Sequence, residues 1–373
     1  MREQISYLVI SDIHLGNTGS GTEVLVDNLR DYFRTNLKLF KSVDMIILAG
    51  DVYDRLLANN SKEYELSLRW LLWLVAFVKK WDIRLRILEG TPSHDRKQVA
   101  TLATIIDEQA IDVDFKYIDR LSIEHIDSLG LDILYVPDEW KHKAVDTVAD
   151  IRELLKEHKL TKVDIAIMHG NFKYQLPIVS DSAYDEADML DMVKYYISIG
   201  HIHVSSVYDR ILAQGSFDRL RFGEEGSKGA TYITIYANGD KEYMFIKNTK
   251  AVKYDTYKYD SDVDIEYLLN DLRGRLKTLK PFSHVRVVLN DKKSFTALLD
   301  PLKKRYKDIV IKIVNKDTDD KEVDILNMAE TVVETFEITK SNIEELLLAA
   351  IVNKHDMNGL DLRVYHEEMK QII

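Results

Sequence analysis

Five short apolar runs, each followed within a few residues by a histidine or an aspartate, constrain this chain more than any other feature. Tyr7–Ile10 leads to Asp12-Ile-His14, Met45–Leu48 to Gly50-Asp51-Val-Tyr-Asp54, and Arg84–Leu88 to Glu89-Gly90-Thr-Pro-Ser93-His94-Asp95. Asp164–Met168 leads to His169, and Tyr195–Ile199 to Gly200-His201-Ile-His203. A sixth run, Asp132–Val136, shares the rhythm. Polar or glycine-containing loops and longer amphipathic stretches alternate with the runs, which predicts an α/β architecture. In open α/β sheets ligands collect beyond the carboxyl ends of the strands, so the fold itself would gather these side chains.

Their spacing has a chemical reading. Residues two apart in an extended segment point the same way, so Asp12 with His14, and His201 with His203, are expected to converge on one small volume. Gly50 and Gly200 leave room for the backbone to turn close beside it. The chain has no cysteine, so disulfides, thiolate ligands and cysteine nucleophiles are excluded together. Imidazoles and carboxylates without thiolates suit manganese, iron, zinc or nickel. Two such ions need a bridging carboxylate, for which Asp51 is the natural candidate. A metal pair lowers the pKa of a bridging water from about 15.7 towards ~7 and stabilises the attacking and leaving oxygens of an in-line displacement. Phosphoester hydrolysis is the reaction that most needs this. Taken singly the signals are weak, since an Asp-x-His is more often a capped loop than a ligand. Five in order, each at a strand end, are a different matter.

Composition narrows the setting. With 373 residues, 46% apolar and 30% charged, the chain has the make-up of a globular protein with one sizeable core and one or two appendages. The longest apolar stretch, Trp70–Val78, stops at Lys79-Lys80 and reads as a buried helix, well short of the ~20 residues of a membrane span. No secretion signal is visible at the start, so a cytoplasmic protein is expected. The net charge of −11 argues against coating nucleic acid by bulk electrostatics. It leaves room for a local basic face: residues 251–316 hold 15 Lys and Arg against 9 Asp and Glu.

Three segments are expected. Residues 1–250 carry the α/β rhythm, closed by a hairpin around the Asn238-Gly239 turn. Residues 251–325 read as a small module, helix Ile265–Leu279, strand Val285–Leu289, helix Ser294–Tyr306 and strand Ile309–Val314. Residues 326–373 read as a linker and helices, with a capping box at Ser341–Glu344 before the run Leu346–Val352, and a last helix Leu360–Ile373.

The ordered set Asp-x-His, Gly-Asp-x-x-Asp, a Gly…His-Asp segment, His and Gly-His-x-His resembles the calcineurin-like metallophosphoesterase superfamily over residues 7 to about 248. The resemblance implies a four-layer α/β sandwich with a small α/β cap domain and a C-terminal helical tail. It implies two divalent metal ions, manganese in the first place and magnesium as the alternative. Asp12, His14, Asp51 and His203 would hold one, and Asp51, His169 and His201 the other. The segment Glu89–Asp95 stands where the family has Gly-Asn-His-Asp. Its amide ligand is absent, with Ser93 in that place behind a two-residue insertion, filling the shell directly or through a water. His94 would assist the leaving oxygen as a catalytic group, and Asp95 would orient it.

A further stretch, Gly215-Ser216…Arg219…Glu224…Lys228-Gly229, is similar to that of SbcD-type DNA-repair nucleases and their phage counterparts. That likeness implies DNA as substrate and an SbcC-like coiled-coil ATPase as partner, with a homodimer of this chain inside a heterotetramer. The module at 251–325 would be the DNA-facing cap, and the apolar residues Leu346, Leu347, Ile351 and Val352 the docking face for the ATPase. Two other readings stay open: a stand-alone phosphodiesterase or phosphatase acting on a small phosphoester, and a scaffold whose site has decayed.

Overall fold

The computed structural model describes residues 3–259, 264–289 and 292–315. The capping box at Ser341–Glu344 and the two helices expected after it lie outside the described residues.

In the first sheet β1 (Gln4–Ile10), β2 (Met45–Ala49), β3 (Arg84–Leu88) and β4 (Phe115–Ile118) run parallel. The hairpin β11 (Gly229–Tyr236) and β12 (Lys241–Lys247) joins at β1, giving the order β12-β11-β1-β2-β3-β4. The Asn238-Gly239 turn forms as expected, with Gly239 at φ 88°. The second sheet contains β5 (Ser122–Ile126), β6 (Leu131–Val136), β7 (Ile165–His169), β8 (Ile197–Gly200), β9 (Ser206–Tyr208) and β10 (Ile211–Ala213). Its order is β5-β6-β7-β8-β10-β9, with β6, β7, β8 and β10 parallel.

Successive strand residues face opposite ways, and both faces of these apolar runs are used. Tyr7, Val9, Met45 and Ile47 enter the layer between the sheets and meet Ile133, Tyr135, Ile165 and Ile167. Leu8, Ile10, Ile46 and Leu48 point outward, into a core shared with α1 (Thr22–Thr35), the short α2 (Leu37–Phe40), α3 (Lys62–Trp81) and α4 (Ala100–Glu108). Leu134, Val136, Ala166 and Met168 do the same on the other side, against α5 (Ala144–Glu157) and α6 (Glu186–Met192). The result is a helix–sheet–sheet–helix stack. A charged pair enters the inter-sheet layer: Arg86 is 1% exposed and is satisfied by the buried Glu124 (2.9 Å from both Nε and Nη2) and by Asp114 (2.7 Å).

Helix α3 contains the run Trp70–Val78. Ser61 Oγ accepts the Tyr64 amide at its start, and Asp82 in the left-handed region (φ 53°) ends it after Lys79 and Lys80. Trp70, Leu71, Leu74, Val75 and Val78 are buried in the protein's own core. No helix of the described residues is long and apolar enough to cross a membrane.

A third, wholly parallel sheet is formed by β13 (Tyr254–Lys258), β14 (His284–Leu289) and β15 (Val310–Asn315), interleaved with α7 (Ile265–Leu276) and α8 (Lys292–Arg305). Leu268, Leu272, Val285, Val287, Leu299 and Leu302 give it a separate core. Helix α7 stops one turn before the expected Leu279, where the Thr278 hydroxyl donates to the Arg275 carbonyl (2.7 Å). This module touches the main sheets through the Tyr254 hydroxyl, 3.1 Å from Ser20 Oγ, and through Arg219, which donates to the Val252 carbonyl at 3.0 Å.

Candidate metal centre

The loops after β1 and β2 are zipped together, with the amides of Asp12 and His14 donating to the carbonyls of Gly50 (3.1 Å) and Asp51 (3.0 Å). The second sheet arrives against them where His169 Nδ1 donates to the Ala49 carbonyl (2.8 Å). Three close approaches allow this. A Cβ on Gly50 would lie 2.1 Å from His169 Nδ1, one on Gly90 2.1 Å from the Asp51 nitrogen, and one on Gly200 2.6 Å from the Ala49 oxygen.

The structure brings the expected residues together in overlapping groups: Asp12, His14 and His203; His14, Asp51 and His94; and Asp51, His169 and His201. Asp51 belongs to two of them, with Oδ2 3.6 Å from His14 Nε2 and Oδ1 3.2 Å from His169 Nε2. The route differs from strand alternation. Asp12, His14 and Asp51 sit at φ 51°, 54° and 51°, and His201 at φ 102°. These positions cost non-glycine residues energy, and such strain concentrates at functional sites. His201 and His203 do not share one volume: they fall in different groups, because the chain bends between them rather than continuing β8.

Each side chain is aimed by a second partner. His203 Nδ1 donates to Glu224 Oε1 (2.8 Å), and Glu224 Oε2 in turn accepts from Lys228 Nζ (2.7 Å). His94 Nδ1 donates to the Asp54 carbonyl (2.7 Å), and Asp54 Oδ1 lies 3.3 Å from His14 Nδ1. Asp12 Oδ1 accepts the His201 amide (2.8 Å), and Asp51 Oδ1 the Thr91 amide (2.6 Å). Such outer contacts fix tautomer and ring direction in metal sites.

Divalent cations suit what remains. Asp12 Oδ2 is buried with no hydrogen-bond partner, and His169 Nε2 makes no well-formed hydrogen bond although Asp51 Oδ1 is near. His14 Nε2 and His203 Nε2 face each other at 3.1 Å, two nitrogens with at most a proton between them. Burial alone would lower the pKa of His14 and His169. Asp54 and Asp51 beside His14, and Asp51 beside His169, instead raise both above the ordinary imidazole range. Asp51 is held well below the carboxylate range, against its burial, by His169, His14 and His94. Protons on these rings thus balance buried carboxylates, a part that bound cations take over as they displace those protons.

Two expectations need correction. Ser93 is exposed, and its carbonyl receives Arg96 Nε at 3.2 Å. The residue that reaches the centre is Thr91, 3% exposed, whose hydroxyl lies 3.3 Å from Asp51 Oδ2, 3.1 Å from Asp138 Oδ2 and 3.3 Å from His201 Nδ1. The insertion therefore falls after Thr91, at Pro92-Ser93. Asp95 does not serve as the carboxylate that orients His94, since the Asp54 carbonyl holds that ring. Both Asp95 oxygens accept backbone amides, of Tyr53 (2.8 Å) and Gly90 (2.7 Å), so it fastens the loop. Burial, with the charges of Asp51 and Glu89, pushes its carboxyl up to about 7.

Four contributors escaped the sequence reading: Thr91, Asp138, Glu224 as partner of His203, and Asp54 as partner of His14 and His94. Asp138 had the clearest signal, because it follows β6 as the others follow their strands.

No curated protein matches the chain. Among solved structures it is similar to GAP50, the anchor in the inner membrane complex of Plasmodium, at 12% identity over 67% of this chain and 86% of that one, with a TM-score of 0.40. A second solved structure matches at 11% identity over 65% of this chain and 99% of that one, with a TM-score of 0.38. The family model for calcineurin-like phosphoesterases matches residues 5–205. Because that match spans the larger part of the chain and every strand end that feeds the buried His/Asp cluster, the chain belongs to the calcineurin-like phosphoesterase family and is a metal-dependent phosphoesterase.

Proposed function

We propose that the chain is a DNA nuclease subunit, an exonuclease or endonuclease that hydrolyses phosphodiester bonds at a manganese-loaded centre. It works with an SbcC-like coiled-coil ATPase in recombination, repair or replication. One observation carries the reading. The stretch that is similar to SbcD-type nucleases is wired into the centre, with Lys228 Nζ donating to the His203 carbonyl (2.9 Å), Ser216 Oγ (2.6 Å) and Glu224 Oε2 (2.7 Å). Arg219 of the same stretch ties it to the small module, whose sequence is rich in Lys and Arg while the chain as a whole is acidic. A partner that supplies much of the grip on DNA reconciles the two charges.

Asp12, His14, Asp51 and His203 would hold one divalent ion, and Asp51, His169 and His201 the other. When bound, such ions supply an activated water and neutralise phosphoryl charge. The chain's own residues do the rest. Glu224 and the Ala49 carbonyl keep the His203 and His169 rings turned inward. His94, with Nδ1–H committed to Asp54, gives a proton from Nε2 to the oxygen that leaves phosphorus as water adds.

The test is hydrolysis of linear duplex DNA and of a small chromogenic diester, with manganese, with and without the candidate ATPase and ATP. The expected result is manganese-dependent release of nucleotides that ATP and the ATPase stimulate. Hydrolysis of the diester with duplex DNA intact in every arm would establish a stand-alone phosphodiesterase, and inertness towards both substrates with metal bound would establish a scaffold.

A further inference from the structure

We propose that Asp138 is a direct ligand in the half of the centre formed by Asp51, His169 and His201, so that a carboxylate closes the shell that Ser93 was expected to complete. The inference rests on reading the buried cluster as a divalent-ion site and goes beyond it by naming the ligand that sets the charge of one half.

Strand β6 ends at Val136, and Pro137 carries the chain over the end of the sheet to Asp138. Its two carboxylate oxygens have different tasks. Oδ1 accepts the amide of Glu139 at 2.9 Å, while Oδ2 lies 3.4 Å from His201 Nδ1 and 3.1 Å from Thr91 Oγ1. The Thr91 hydroxyl also lies 3.3 Å from Asp51 Oδ2 and 3.3 Å from His201 Nδ1. A hydroxyl has one proton and cannot donate to both carboxylates at once. What it marks is a point within 3.3 Å of atoms of Asp51, Asp138 and His201, although Asp138 itself stands just outside the three groups that already meet. The Asp138 side chain is only 12% exposed, with Oδ2 turned from solvent towards His201 and Thr91.

Charge gives the proposal a consequence. With Asp138 both halves have two carboxylates, Asp12 and Asp51 in one, Asp51 and Asp138 in the other. Oxygen-rich shells of this kind favour manganese and magnesium over softer cations. Thr91 is then a positioning residue that holds Asp138 Oδ2 towards the centre.

Calorimetric titration with manganese of the full chain, Asp138→Ala and Asp138→Asn, together with a manganese-loaded crystal structure, tests this. Wild type should bind two ions. In D138A one affinity should fall by at least the about 10- to 100-fold that follows loss of even an outer partner, while the other stays as it was. D138N, which keeps an acceptor for the Glu139 amide, should bind in between, and it keeps the test alive if D138A fails a melting check in chelator. The loaded crystal should show Asp138 Oδ2 within the coordination sphere. A wild-type isotherm for D138A, or a loaded structure with Asp138 outside the sphere, overturns the assignment. A wild type that binds no divalent ion sinks the metal-site reading together with this one, a result distinct from either.

Discussion

Gly50→Ala, set beside Gly239→Ala, separates backbone strain from the packing that aims His169. Both glycines have nearly the same φ, 86° and 88°, so both alanines bear the left-handed penalty of roughly 1–2 kcal/mol. The surroundings differ completely. A Cβ at Gly239 meets nothing within 4 Å, whereas one at Gly50 lies 2.1 Å from His169 Nδ1 and 2.8 Å from Gly90 Cα. Gly90 is itself pressed against Asp51, so the methyl group cannot be relieved on that side. Overpacking a tight interior adds roughly 1–3 kcal/mol. G50A should therefore lose about 2–5 kcal/mol in urea melts run in chelator, against about 1–2 for G239A. The second readout is manganese titration. The ring in the way is that of His169, whose bond to the Ala49 carbonyl must break, so the half containing Asp51 and His169 should weaken in G50A while G239A binds like wild type. Equal stability losses in the two variants, with wild-type binding in both, would refute the claim that this close approach fixes the histidine.

Three other outcomes are expected. His94→Ala should keep both ions yet lower turnover by roughly 10²-fold or more, the scale for a positioned acid; loss of an ion in the titration would make His94 a ligand instead. Ser93→Asn should change neither metal affinity nor turnover, because the side chain is exposed, and a tightened site would restore the original alignment. The third concerns pH. His14 and His169 have folded pKa values raised above their unfolded ones, so their stabilisation of the metal-free chain is complete below the unfolded value and is lost as pH rises through the folded one. Asp95, raised to about 7, acts in the same direction, since the folded state holds its proton longer. Melting in chelator should therefore fall as pH rises above the unfolded imidazole value of about 6.5, while the stabilisation gained on adding manganese should grow over the same rise as fewer protons have to be displaced. Parallel melting curves with and without manganese would contradict the exchange of protons for cations.

How much of this could be read from the residues follows from which forces act locally. The apolar runs of β1, β2, β3, β6, β7 and β8 were legible because both faces of each strand are buried, leaving an unbroken signal in the sequence. The edge strands β4 and β9 leave none: β4 alternates around an exposed Lys116, and Val207 and Tyr208 of β9 are 52% and 46% exposed, so nothing but pairing marks them. The strand-end rule that singles out Asp12, His14, Asp51, His169, His201 and His203 explains half of how they come together. Strand ends do gather them, but the side chains are aimed by left-handed residues and by hydrogen bonds reaching across as many as 189 positions, such as that from the His201 amide to Asp12, and no spacing rule contains those. The placing of Ser93 failed for a related cause. Gly90, His94 and Asp95 are compatible with an insertion on either side of Thr91, and only the hydrogen bond from the Thr91 amide to Asp51 Oδ1 decides between them. Asp138 shows the opposite error. Its run had been recognised, and the rule that made ligands of its neighbours applied to it unchanged, but it matched no known pattern. A physical rule applied evenly to all six strand ends would have included it, which is why the Asp138 titration tests the rule as well as the residue.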